Sequence, residues 1–140
     1  MKTLVFLTAD FANLTSENKL NIMGVFNQIF AQKFPARHPQ FHLVIKLGLE
    51  LGEESKDRKL TIYMVGEDSN KEKLKLLEEN FDFPERIGGL IPEHTVILNV
   101  RDMVFPQKGT YQFLLHVDDR YLDSSAMHLE EIQLIQQSGG

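Results

Sequence analysis

The stretch FHLVIKLGLEL, residues 41–51, places Phe41, Leu43, Ile45, Leu47, Leu49 and Leu51 on one side of an extended chain. His42, Lys46 and Glu50 fall on the other side, with Val44 and Gly48 between them. Strand side chains alternate between faces, whereas a helix would scatter these six around its axis. The stretch therefore reads as a strand with one face in an apolar core, and the rest of the chain is read outward from it. GEESKDR, residues 52–58, supplies a polar turn, and KLTIYMV, residues 59–65, then aligns Leu60, Ile62 and Met64. Together they read as a hairpin.

The same period recurs elsewhere. TLVFLTA, residues 3–9, puts Leu4 and Phe6 on one face and Val5 and Leu7 on the other, so both faces of this strand are expected to be covered. KLNIMGVF, residues 19–26, aligns Leu20, Ile22 and Phe26 around Gly24. A glycine inside a strand marks a bulge or a close backbone approach. TVILNV aligns Val96, Leu98 and Val100, and TYQFLLHV aligns Tyr111, Phe113, Leu115 and Val117. Asp118 and Asp119 then suit a tight turn, because aspartate tolerates left-handed dihedrals.

Two stretches are ambiguous. SNKEKLKLLEENF, residues 69–81, has Ser69 and Glu72 in capping-box spacing, followed by Leu74, Leu77 and Phe81 at helical intervals. A short helix is expected near residues 70–80. SSAMHLEEIQLIQQ, residues 124–137, also has a serine start and good helix formers, but the preceding turn favours a strand paired with TYQFLLHV. Seven or eight short strands with little helix predict an all-β, antiparallel, immunoglobulin-like sandwich over residues 1–136, with 137–140 as a flexible tail. Gly109 two residues before Tyr111, at the start of a core strand, resembles a tyrosine corner; the alternative is that Tyr111 is simply a large strand residue. The Tyr111 phenol is expected to bond back to the preceding connection, with Phe113 in the core.

Further motifs carry a resemblance. A strand ending Ala9-Asp10 precedes Lys19, Leu20, Asn21, Ile22, Gly24 and Phe26, and then Phe34-Pro35, Pro39 and the long alternating strand. This order resembles a bacterial family of small uncharacterised domains. Gly109, Tyr111 and the VDDRYL hairpin fit its C-terminal half, while residues 66–93 match poorly. The resemblance implies a β-sandwich and transfers no catalytic residue. It makes KLNI a core strand and FAQKFPARHP its connection to the long strand.

Pro35 and Pro39 stiffen that connection by fixing φ and removing two backbone donors. Phe30 and Phe34 either pin it to the core, the ordinary fate of aromatics, or stand exposed as an anchor. Phe30, Phe34, Pro35, Arg37 and His38 thus form the candidate partner-binding loop.

Bulk properties narrow the function. With 140 residues, 42% hydrophobic, the chain is long enough for one core. A net charge of −5 and scattered basic residues exclude non-specific binding to nucleic acid or anionic membrane. With no cysteine, thiolate metal sites and thiol nucleophiles are excluded, and a reducing cytoplasm is favoured. MKTLVFLTAD is interrupted by Thr8, Asp10 and Asn13 too early for a signal peptide. No segment approaches a membrane span.

Glycine-rich phosphate loops and a G-x-S-x-G elbow are missing. The five histidines lack metal-ligand spacing; His42 and His116 are expected on solvated faces. A metal site from His42, His116 and His128 would require their strands to be neighbours. Asp118, Asp119 and Asp123 read as a solvated turn rather than a calcium loop. No catalytic residue, cofactor or metal site is assigned. The expectation is a non-catalytic binding or assembly module with a protein partner, and the covered first strand predicts a homodimer. Alternatives are a metal-dependent binder or enzyme using surface His and Asp, and a ubiquitin-like modifier using Gly139 and Gly140. The second alternative lacks the helix that a β-grasp places after its first hairpin.

Overall fold

The computed structural model describes residues 1–67 and 73–133. Among the described residues there are nine strands and no helix. They are β1 (Lys2–Leu14), β2 (Leu20–Phe26), β3 (Gln28–Ala31), β4 (Ala36–Gly48), β5 (Arg58–Val65), β6 (Leu74–Phe81), β7 (Glu93–Phe105), β8 (Gly109–Val117) and β9 (Arg120–Glu131). A four-stranded sheet has the order β2-β1-β4-β7, and a five-stranded sheet the order β3-β9-β8-β5-β6. All pairs are antiparallel except β3 with β9. The fold is an all-β, immunoglobulin-like sandwich.

The core lies between the sheets. Phe41, Leu43, Ile45 and Leu47 of β4 meet Leu60 and Ile62 of β5 and Phe113 and Leu115 of β8, all of them fully buried. The tyrosine corner forms as expected: the Tyr111 hydroxyl donates to the Gln107 carbonyl at 2.6 Å and accepts from the Gln107 N–H at 3.2 Å. Asp118 and Asp119 have φ of 52° and 65°, the left-handed pair that a two-residue hairpin turn between β8 and β9 demands. The tail segment is a strand on β8 as far as Glu131; Leu134, and Gly139 and Gly140 of the proposed tail, lie outside the described residues.

Three expectations are corrected. First, the runs at 41–51 and 59–65 do not form a hairpin, because β4 and β5 belong to different sheets. Alternation reports which face of a strand is buried, not which strand lies beside it. The connection crosses between sheets packed about 10 Å apart. Leu51 falls beyond β4 and is 82% exposed.

Second, the segment expected as a helix near 70–80 is a strand from Leu74 onward; Ser69 and Glu72 lie outside the described residues. Ile62 pairs with Leu77 and Tyr63 with Lys75, so Leu76 is an extra residue in the ladder. That bulge puts Leu76 and Leu77 both against the core and converts a two-residue period into the 74, 77, 81 spacing of a helix.

Third, the connection expected over FAQKFPARHP is only residues 32–35, since β3 takes Gln28–Ala31 and β4 begins at Ala36. A regular ladder with β7, Arg37 opposite Val104 and His38 opposite Met103, holds this part of the chain extended.

Candidate functional site

β1 changes partners along its length. Residues from Lys2 to Ala9 pair with β4, and those from Thr8 to Leu14 pair with β2. At the changeover, Gly24 has φ of 69°, and a side chain there would collide with that of Asp10. The close approach anticipated at this glycine is thus made by Asp10. The hairpin tip is tied locally: the Thr15 hydroxyl accepts from the Lys19 N–H at 3.0 Å, and Asn18 adopts φ of 61°.

Leu14 and Asn18, at that tip, line one hollow together with Thr95 and residues of the 84–92 loop. Thr95 stands opposite Lys46, which stands opposite Val5. A straight strand would carry Leu14 roughly 30 Å beyond Val5. The hairpin therefore folds back across the outer face of the four-stranded sheet. Its cover accounts for Ala9, Ala12, His42 and Val44, which are buried yet belong to no part of the central cluster. Phe11 rests edge-on against His42, ring centres 5.4 Å apart.

His42 is thereby corrected from a solvated face to a buried one, and its Nδ1 has no hydrogen-bond partner. His116 is also less open than expected, standing between Tyr63 and Tyr121. Partial burial holds its pKa below the ordinary histidine value, with Lys73 acting in the same direction and Asp119 opposing.

The hollow has a volume of about 770 Å³. Its wall carries large aliphatic side chains that water reaches freely: Leu14 is 41% exposed, Ile87 74%, Leu90 70% and Ile91 46%. The loop beneath them is nevertheless held by its backbone. Leu90 N–H donates to the Ile87 carbonyl at 3.1 Å, Leu49 N–H to Pro92 at 2.9 Å, and Arg86 to the Leu49 carbonyl at 3.1 Å. An ordered backbone that turns aliphatic groups outward is the reverse of ordinary loop chemistry.

Around the rim, Glu93 pairs with Lys46 at 2.8 Å, and His94 meets Glu79 at 3.0 Å while stacking on Phe81 at 4.1 Å. The sequence signal for this site was present but unpatterned: Ile87, Leu90 and Ile91 lie between Pro84 and Pro92 with neither strand nor helix period.

The residues singled out from the sequence gather at a smaller groove of about 460 Å³ at the opposite end of β4. Phe30, on edge strand β3, is 57% exposed. Pro35 is exposed, and exposed Arg37 pairs with Asp102 at 3.1 Å. His38 is half-buried between Phe26 and Phe41. These four line the groove with Phe105 at its base; Phe34 instead packs half-buried against the core.

Polar constellations do not converge. His42 lies in the four-stranded sheet, while His116 and His128 lie near opposite ends of the β8–β9 ladder. Among the described residues no three His, Asp or Glu side chains are placed to hold a metal. Asp118 pairs with Arg58 and Asp119 with Lys59, each at 2.7 Å, and Asp123 accepts from the Ser124 N–H at 2.8 Å. Thr110, His128 and Glu130 form a hydrogen-bonded row at 3.1 and 2.9 Å, with His128 and Glu130 open to solvent.

Fold and site define an immunoglobulin-like sandwich with an apolar hollow walled by a folded-back hairpin. The chain belongs to a family of unknown function, DUF6941, whose model matches residues 4–130. The match runs through residues 66–93, where the resemblance read from motifs was weakest. No curated protein sequence matches the chain.

Among solved structures, an immunoglobulin-like protein from Pseudomonas aeruginosa is 12% identical, with a TM-score of 0.41 over 88% of this chain and 91% of its own. A superoxide reductase (neelaredoxin) from Ignicoccus hospitalis is 14% identical, with a TM-score of 0.38 over 74% and 75%. At these values neither likeness bears on chemistry. Among the described residues, no helix is long and apolar enough to cross a membrane.

Proposed function

We propose that the protein is a non-catalytic binding module that acts through protein–protein contacts, with the hollow between the hairpin tip and the 84–92 loop as its contact surface. One observation carries this reading: exposed Leu14, Ile87, Leu90 and Ile91 share one hollow, beside a loop anchored by the Leu90–Ile87 and Leu49–Pro92 backbone bonds. Apolar groups left in water raise the free energy of the isolated chain, and covering them contributes about 25 cal/mol per Å² against the entropic costs of association. The Phe30 groove offers a second, smaller surface of the same kind.

The test is a double variant, Ile87→Asp with Leu90→Asp. Both side chains point into water, so its thermal midpoint should match the wild type. Partner recovery from native extract, compared quantitatively between the two proteins, should fall at least tenfold. Equal recovery would move the contact surface elsewhere.

A further inference from the structure

His42 is the one buried histidine among the described residues, 7% exposed beneath the folded-back hairpin, with Nδ1 unpartnered. A neutral ring leaves one nitrogen without a proton, so a bare Nδ1 is tolerable. An imidazolium carries N–H on both nitrogens, whichever tautomer preceded it. Protonation under the hairpin therefore sets a positive charge out of water and a donor at Nδ1 with no acceptor, both of them costly.

The side chains around the ring do not compensate. Residues directly opposite one another in an antiparallel pair share a face. From β1 that face carries Leu7, Ala9 and Phe11; from β2, Val25 and Met23; from β7, Ile97 and Asn99. None of these ionises. The Asp10 carboxylate turns to the other face, against Gly24. Arg101, diagonal to His42 on β7, is a cation, and Asn99, with its amide oxygen turned to that guanidinium, accepts from it at 3.1 Å. Lys46, further along β4, is paired with Glu93 at 2.8 Å.

We propose that the β1–β2 hairpin is an acid-released cover: protonation of His42 drives it off the outer face of the four-stranded sheet. The closed cover favours the neutral ring, and the open one lets water solvate the imidazolium. A histidine in water takes up its proton near pH ~6.5, so each pH unit below that lowers the ratio of closed to open hairpin by up to about tenfold. The tip of the same hairpin brings Leu14 and Asn18 to the hollow, so its release also removes one wall of that surface. The inference rests on the surroundings of His42, not on the binding-module reading, and its test needs no partner.

The experiment is amide hydrogen exchange of the full chain at about pH 7 and about pH 5, each corrected for the intrinsic exchange rate. Residues 10–25 should lose protection by roughly tenfold at the lower pH, while β8 in the core keeps its own. His42→Leu, which puts an uncharged side chain under the hairpin, should remove that loss. A loss that persists in His42→Leu assigns it to other groups and overturns the proposal, as does a wild type whose hairpin protection is the same at both pH values. Should His42→Leu not fold, the ring C–H resonances of His42 in the wild type decide. Their titration should coincide with the loss of hairpin protection; a ring that becomes protonated while residues 10–25 stay protected overturns the proposal.

Discussion

Two loop regions of this sandwich solve the same problem in opposite ways. Where β5 begins and the β8–β9 turn closes, Arg58, Lys59, Asp118 and Asp119 are paired with one another. Arg58 bonds Asp118 at 2.7 Å and the Glu54 carbonyl at 2.6 Å, and Lys59 bonds Asp119 at 2.7 Å. The Asp118 carboxylate also accepts the Lys59 N–H at 2.9 Å. At the hollow, by contrast, the backbone is tied but Ile87 and Leu90 are about three-quarters in water. The polar region is complete within one chain. The apolar one stays open to water in this chain, and substitutions on each side should separate the two cases.

A large stability effect belongs to Arg58→Ala. The Arg58 side chain is only 14% exposed, and its removal leaves the Glu54 carbonyl and Asp118 without their charged donor. Charge-assisted hydrogen bonds of this kind contribute about 1.5–3 kcal/mol, so denaturant unfolding should show a loss of roughly 2 kcal/mol. A change below about 0.5 kcal/mol would mean the cluster is only surface decoration.

Next comes Gly24→Ala, which tests the hairpin that walls the hollow. An alanine there would have to adopt φ of 69° and displace the Asp10 side chain. The cost should be about 1–3 kcal/mol. Amide hydrogen exchange should quicken first in residues 10–24, before the sandwich core. Uniform loosening of both sheets would instead show that the hairpin is not a separate cover.

A smaller effect is tied to acid. Partial burial works to raise the Asp118 carboxyl, but the Lys59 N–H and the Arg58 guanidinium outweigh it and hold the pKa below its ordinary value near 3.8. A depressed folded-state pKa stabilises the fold above the unfolded value, and that contribution is lost as pH falls through the folded one. Asp118→Asn keeps a residue that tolerates the left-handed turn. With this carboxylate 42% exposed, the loss at neutral pH should be discounted to about 0.5–1 kcal/mol. Wild type and variant should converge in stability below pH 3.8. A gap that persists unchanged into strong acid would assign the effect to the turn rather than to the charge.

The contrast also explains what could be read from the chain in advance. β4, the tyrosine corner and the two-aspartate turn each depend on residues within a few positions of one another, so their spacing sufficed. β6 misled because the Leu76 bulge shifts its apolar residues into helical register. The change of sheet between β4 and β5 depends on long-range packing that alternation does not encode. His42 looked solvated because its cover is a hairpin that leaves β4 and returns, a path set by a bend rather than by composition. The hollow stayed hidden for a related reason: Ile87, Leu90 and Ile91 come from an aperiodic loop, and Leu14 joins them from a hairpin tip far away in sequence.

The smallest stability effect is the most informative about function. Removing buried methyl groups costs several kcal/mol because cavities open, but Leu90, 70% exposed, has little packing to lose. Leu90→Ala should change unfolding free energy by no more than about 0.5 kcal/mol, within the range of ordinary surface substitutions. Binding of an environment-sensitive apolar dye to the native protein should nevertheless fall, because part of the water-exposed aliphatic surface is gone. If stability drops by about 2 kcal/mol instead, Leu90 is packing its own chain, and the hollow is part of the fold. If stability holds and dye binding falls, the side chain is there for contact with another molecule, since it contributes almost nothing to holding its own chain together.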